Sequence, residues 1–120
     1  MPIFVVHEHN ASHLHWDLRL EMDGVLKSWA VPKEPPTEEG IKRLAIQVQD
    51  HDLGYATFKG EIKEGYGKGT VKIWDNGKYD LINRKKEKIV IELKGKKMKG
   101  EYVILRFKRA GEDSWLLFKK

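Results

Sequence analysis

Apolar and polar residues alternate with a period of two along much of this 120-residue chain. From residue 14 the alternation is strict. Leu14, Trp16, Leu18, Leu20 and Met22 are apolar, and His15, Asp17, Arg19 and Glu21 fall between them. Successive side chains of a strand point to opposite faces, so residues 14–22 are predicted to form a strand with one apolar and one ionisable face. Residues 3–6 predict a strand running into His7 and His9, with a short turn at Asn10, Ala11 and Ser12. Asp23-Gly24 is a strong hairpin signal, and residues 25–31 return as a third strand. The segment Pro32-Lys33-Glu34-Pro35-Pro36 ends it, because proline cannot donate to a ladder. These prolines are expected to hold Lys33 on a stiff, exposed loop.

Residues 43–50 alternate again. Leu44, Ile46 and Val48 are expected to face the core, with Arg43, Ala45, Gln47, Gln49 and, if the strand persists, His51 on the other side. That reading puts Arg43 and His51 on one face. Tyr55 follows in a short loop, and residues 58–62 read as another strand. Glu64-Gly65-Tyr66-Gly67-Lys68-Gly69 reads as a tight turn and lacks the Gly-Lys-Ser/Thr ending of a phosphate-binding loop. Residues 70–74, 88–93, 102–107 and 114–118 are further β-rich runs, punctuated at 75–77, 94–96 and 109–111. No segment sustains a helical period; at most, residues 37–40 form one turn. Short strands separated by glycine turns predict an all-β fold, an antiparallel barrel or sandwich.

At this length the chain is expected to be one domain, residues 1–120, with a single modest core. It has no cysteine, so any metal must take nitrogen and oxygen ligands. The N-terminus has no basic leader, and no run approaches the ~20 apolar residues of a membrane span. A soluble, cytoplasmic, monomeric protein is expected. The net charge of +5 is unevenly placed. Residues 1–58 hold 5 basic and 9 acidic residues, whereas residues 84–120 hold 13 and 5. A basic C-terminal third suits a polyanion such as nucleic acid, although Lys-rich hairpins also serve to keep edge strands apart.

An alternating charged face is ordinarily only a solvated one. The row His15, Asp17, Arg19, Glu21 differs in residue type, and His9 lies six residues upstream of His15. Two imidazoles and a carboxylate bind a divalent transition ion and leave coordination positions open to substrate.

The residues then carry a resemblance. Phe4-Val5-Val6 with His9, Ala11-Ser12 with Leu14-His15 and Asp17-Leu18-Arg19-Leu20-Glu21, and Asp23-Gly24-Val25-Leu26-Lys27-Ser28-Trp29-Ala30-Val31-Pro32-Lys33 resemble the 3′-phosphoesterase domain of bacterial DNA ligase D. The likeness continues through Arg43-Leu44-Ala45, Asp50-His51, Leu53, Tyr55, Glu64-Gly65-Tyr66-Gly67 and Gly69-Thr70. It also takes in Ile73-Trp74-Asp75, Gly77, Gly100-Glu101-Tyr102 and Ser114-Trp115-Leu116-Leu117. It covers nearly the whole chain and is greatest to free-standing members. The resemblance implies a compact antiparallel β-barrel that heals DNA or RNA 3′ ends with manganese, with Co²⁺ or Zn²⁺ also suited to the site. It implies removal of a 3′-terminal ribonucleoside and then of the 3′-phosphate, leaving a 3′-hydroxyl, with a separate DNA ligase or polymerase as partner. The implied metal ligands are His9, His15 and Asp17. Arg19, Lys33, Arg43 and His51 are implied to engage the phosphate, with Tyr55 beside them.

The chemistry of those residue types agrees. Cations around a phosphate neutralise charge as phosphorus is attacked, and an arginine fork matches phosphate oxygens. His51 suits holding an oxygen or protonating a leaving group, and Tyr55 suits orienting. The chain departs from the family pattern in three places. From its first residue it is expected to lack the N-terminal arm of the ligase-borne domains, and Gln49 replaces a usual glutamate. His7 replaces a neutral polar residue and is read as lying behind the ligands or on the surface. Two other classes compete. His15-x-Asp17 with a distant His51 matches the facial triad of iron oxygenases, which turnover of 2-oxoglutarate would reveal. A non-catalytic basic barrel would bind single strands without cleaving them.

Overall fold

The alternation over residues 14–22 sends Trp16, Leu18, Leu20 and Met22 into one core. Phe4, Val6, Trp29, Val31, Tyr79, Ile91, Leu93, Met98, Tyr102, Ile104, Trp115 and Leu117 meet them there. Each such aliphatic or aromatic side chain contributes about 1.5–3 kcal/mol when taken fully out of water. The computed structural model describes residues 1–65 and 68–120. The glycine-rich turn expected at residues 64–69 includes Tyr66 and Gly67, which lie outside the described residues.

The strands are β1 (Ile3–Asn10), β2 (Leu14–Met22), β3 (Val25–Val31), β4 (Lys42–His51), β5 (Gly60–Ile62), β6 (Gly69–Lys85), β7 (Lys88–Lys94), β8 (Lys99–Arg106) and β9 (Ser114–Lys119). They lie in the order β1-β2-β3-β4-β9-β8-β7-β6-β5, and β1 also pairs with β6. That pairing closes eight strands into an antiparallel barrel and leaves β5 as a short addition on β6. Closure removes the sheet edges that would otherwise template association. Two 3₁₀ turns, Leu53–Thr57 and Lys108–Ala110, interrupt the strands. No regular structure other than an isolated bridge at Glu39 forms over residues 37–40.

Two expectations from the alternation are overturned. The first concerns β4. Ala45 is buried in the core, whereas Leu44 is 37% exposed and Val48 lines the outer surface cleft. The inward row is therefore the one carrying Ala45 and Gln47, not the more apolar row. The β3–β4 ladder then slips: Leu26 faces His51, but Ser28 faces Val48. One extra residue in β4 forms a β-bulge, which reverses the facing of the residues beyond it. His51 is thereby carried to the outer face, and Arg43, on the Ala45 row, does not share it.

The second concerns Asp75-Asn76-Gly77, which is not a turn but part of the 17-residue strand β6. The buried Asp75 carboxylate accepts four backbone N–H groups: Asn76 (3.0 Å), Lys96 (2.9 Å), Lys97 (3.1 Å) and Met98 (2.8 Å). It thus satisfies the β7–β8 turn from a neighbouring strand. Gly77 is required by close approach, since a Cβ there would collide with the Lys94 carbonyl.

A smaller cluster lies outside the barrel. Val5, Leu26 and Ala56 are buried together with Ile3, Tyr55 and Ile73 packed against them. The turn Leu53–Thr57 is thus pressed onto the outer face of β1 and β3. It converts what would be a solvated sheet face into a half-covered one.

Candidate active site

The ionisable face of β2 lies under this cover. Asp17 and Arg19 are 5% and 4% exposed, and His7 and Ser28 are fully buried. Antiparallel register sets His9 opposite His15 and His7 opposite Asp17. The His9 and His15 rings come to 4.8 Å between centroids. Asp17 Oδ2 lies 3.2 Å from His15 Nε2 and 3.8 Å from His9 Nδ1. One donor atom from each of these three residues falls within 4.8 Å of the others.

Burial alone would raise the Asp17 pKa. The His15 hydrogen bond and the charge of Arg19 outweigh it and hold the carboxyl below the usual carboxylate range. His15 is raised in turn, chiefly by its hydrogen bond to Asp17. An ionised carboxylate with two adjacent imidazoles is a donor set that suits a divalent transition ion. The His15 Nδ1 lies 3.2 Å from the His13 carbonyl, an outer contact of the kind that fixes a ligand imidazole's orientation.

Arg19 links this set to the rest of the cleft. Its Nε donates to His7 Nδ1 (3.0 Å). Its Nη1 donates to Ser28 Oγ (2.8 Å) and faces His51 Nδ1 at 3.1 Å. Its Nη2 reaches Asp17 Oδ2 at 3.4 Å. Ser28 Oγ donates its own hydrogen bond to the Leu26 carbonyl (3.1 Å). The guanidinium lies 5.0 Å from the centre of the Tyr55 ring, which stacks on Phe58 and lies 4.7 Å from His51. Arginine has five N–H donors and no acceptor. Four are committed here, which leaves one on Nη2. His51 Nδ1 lies 3.1 Å from both Arg19 Nη1 and the Gln49 carbonyl, so the neutral ring accepts from Arg19 as its Nε2–H tautomer and donates to Gln49 as its Nδ1–H tautomer. Burial and the Arg19 charge lower the His51 pKa and favour that neutral form. Burial raises the Tyr55 phenol, so it stays un-ionised.

His9, His15, Asp17, Arg19, His51 and Tyr55 thus share one cleft of about 640 Å³, open on the barrel's outer surface. Lys33 and Arg43 do not line it. Lys33 is exposed on the loop after β3. Arg43 Nε donates to the Glu34 carbonyl (2.8 Å) and so anchors that loop. His51 does not join the donor set; His9 does, so the His15, Asp17, His51 triad of an iron oxygenase is not what the fold assembles. Two residues carry more than the sequence pattern indicates. His7 is an interior support, not a surface residue. Ser28 has no distinguishing residue type, yet the two-residue Asp23-Gly24 turn sets Met22 against Val25 and, counting back, Arg19 against Ser28.

Comparison with known proteins decides the family. Residues 7–106 match the model of the DNA Ligase D 3′-phosphoesterase domain. The chain belongs to that family. It is 44% identical over 123 residues to the multifunctional non-homologous end joining protein LigD of Pseudomonas aeruginosa, a match that covers 97% of this chain. It is 44% identical over 118 residues, 94% of this chain, to the multifunctional non-homologous end joining DNA repair protein LigD of Mycobacterium tuberculosis, and 41% identical over 117 residues, 88% of this chain, to the multifunctional non-homologous end joining protein LigD of Mycolicibacterium smegmatis. The chain spans about 15% of the length of the curated relatives it matches. The resemblance expected from the residues is therefore the family found, and its β-barrel is the fold observed. Among the described residues no helix is long and apolar enough to cross a membrane.

Proposed function

We propose that this chain is a metal-dependent phosphoesterase that heals nucleic-acid 3′ ends. It removes a 3′-terminal ribonucleoside and then the 3′-phosphate, leaving a 3′-hydroxyl for repair ligation during end joining. The observation that carries the reading is the contact of Arg19 with both Asp17 and His51. It couples a His-His-Asp donor set to a phosphate-binding pair inside one cleft.

His9, His15 and Asp17 are the residues that would hold the ion, with Mn²⁺ proposed and Co²⁺ or Zn²⁺ compatible with the same donors. When bound, the ion supplies Lewis-acid stabilisation of phosphoryl charge. The chain's own residues do the rest. Arg19 is rigid, because His7, Ser28 and Asp17 hold it, and it offers its remaining N–H to a phosphate oxygen. Preorganised donors of this kind need no reorientation as charge develops. Protonated His51 offers Nε2–H to a second oxygen and can deliver that proton to the leaving alkoxide. Tyr55 stacks over the guanidinium and excludes water. Arg43 steadies the loop from which Lys33 meets the approaching strand. The partners proposed are DNA or RNA 3′ ends and a separate ligase or polymerase.

End polarity tests the reading. Matched oligonucleotides bearing a 3′-phosphate, a 3′-ribonucleotide or a 5′-phosphate are incubated with protein and Mn²⁺. Only the two 3′-modified ends should react. Equal reaction of the 5′-phosphate would refute the assignment.

A further inference from the structure

The strand β3 has a second wall. Ser28 and Ala30 face the cleft, whereas Lys27 and Trp29 line a separate cavity of about 390 Å³ at one mouth of the barrel. The β6–β7 hairpin adds Lys85 and Lys86, and Arg84, Arg106, Gln47 and Trp115 contribute to the wall. Five of the lining residues are cationic, and none is a carboxylate. Lys27, Arg84 and Arg106 pair outward with Asp50 (3.0 Å), Asp23 (2.7 Å) and Glu112 (3.7 Å). Among the described residues Lys85 and Lys86 have no ion-pair partner.

Three donors lie behind the cavity wall, out of reach of solvent. Trp29 Nε1, Trp115 Nε1 and Arg106 Nε are buried and meet no acceptor in the protein. Trp29 and Trp115 are 1% and 4% exposed. The Arg106 guanidinium lies over the Trp115 ring at 5.3 Å. A concave wall of five cations, without a carboxylate, suits an oxyanion and repels a cation.

The location connects this mouth to the cleft. Asp50, the partner of Lys27, is the residue before His51 and lies where the β3–β4 ladder bulges. The His51 end of the cleft therefore adjoins the cationic rim. We propose that the barrel mouth binds backbone phosphate of the nucleic-acid strand whose 3′ end occupies the cleft. This rests on the phosphoesterase reading of the cleft for the identity of the strand. Inorganic phosphate shares the chemistry and is the competing source.

Binding without catalysis tests the proposal. Metal-free protein is titrated into a fluorescent single-stranded oligonucleotide with a 3′-hydroxyl, and anisotropy is measured across a range of salt. Lys85→Ala/Lys86→Ala should weaken binding about tenfold at low salt and reduce the log–log salt slope by about 1.4, the value for two lost contacts to a single strand. Lys96→Ala/Lys99→Ala removes equal charge from the β7–β8 turn and the start of β8 at the opposite barrel end and should change affinity less than about twofold. Gln47→Glu places a carboxylate in the cavity wall and should weaken binding about fivefold. Equal losses from both lysine pairs, with Gln47→Glu neutral, would mean diffuse surface attraction and overturn the proposal. In a parallel titration, inorganic phosphate is monitored through the Trp29 and Trp115 indole N–H resonances. Shifts there, with oligonucleotide affinity unchanged in the Lys85/Lys86 and Gln47 variants, would assign the mouth to free phosphate and overturn the strand. Because no hydrolysis enters, failure here leaves the cleft's assignment standing, and failure of the cleft assay leaves this result readable.

Discussion

Arg19 and His7 lock together beneath the cleft, guanidinium Nε to imidazole Nδ1 at 3.0 Å, with His7 wholly buried. Burial, reinforced by the Arg19 charge, lowers the His7 pKa to about 4, so the ring is a neutral acceptor at working pH. His7→Gln keeps an acceptor and should retain activity within about threefold, whereas His7→Phe strands the Arg19 Nε–H. The stranded donor should cost about 1–3 kcal/mol of stability and lower kcat on the order of tenfold or more. Denaturant melts and kcat measured on the three proteins check both effects.

His51 and Arg43 should separate by leaving group. His51 touches Arg19 in the cleft, while Arg43 acts on the Lys33 loop through the Glu34 carbonyl. Arg43→Ala should lower turnover of diester and monoester alike. His51→Ala should suffer most where an unprotonated alkoxide must leave, and a nitrophenyl ester should restore part of its rate. Equal rescue of both variants, or rescue of neither, would leave His51 as a phosphate clamp alone.

Much of this site is legible in the sequence because its core is local. The alternation over β2, the turn into β1 and the Asp23-Gly24 hairpin set His9, His15, Asp17 and Arg19 on one face through short-range register. The β4 facing is not legible. Leu44, Ile46 and Val48 look like a core row, but small Ala45 is what fits opposite Trp115, and the bulge near Asp50 has no signal in residue type. Nor is the run of β6 through Asn76-Gly77. Those residues have turn chemistry, and only the distant β7–β8 turn, satisfied by Asp75, explains them. The cover that buries His7 and Arg19 likewise comes from residues 53–57, far along the chain.

Asp75→Ala should uncap four backbone N–H groups at once. A loss of about 3 kcal/mol or more is expected, with Tm lower by roughly 10 °C or more. Asp75→Asn, which keeps one acceptor oxygen, should fall between. Turnover per folded molecule at low temperature should be unchanged, since Asp75 does not line the cleft.

Stability should fall in alkali. Tyr79 and Tyr102 donate to the Glu21 and Pro36 carbonyls (2.6 and 2.8 Å), and burial pushes each phenol up to about 12. An acid whose pKa is higher folded than unfolded binds its proton more tightly when folded. Its contribution is complete below the unfolded value of about 10 and is lost as pH rises from there towards 12. Melts between about pH 9 and 11 should show a shallower decline in Tyr102→Phe than in the parent, from a lower starting point.

Metal-dependent 3′-end chemistry at His9, His15 and Asp17 is the central claim. Oligonucleotides ending in a 3′-phosphate and in a 3′-ribonucleotide are each incubated with protein in EDTA, then with Mn²⁺ or Zn²⁺ restored. EDTA should abolish both reactions, Mn²⁺ should restore both, and Asp17→Ala should stay folded but inactive, with metal affinity lost. Full activity of a verified metal-free protein, or of Asp17→Ala, would contradict that claim.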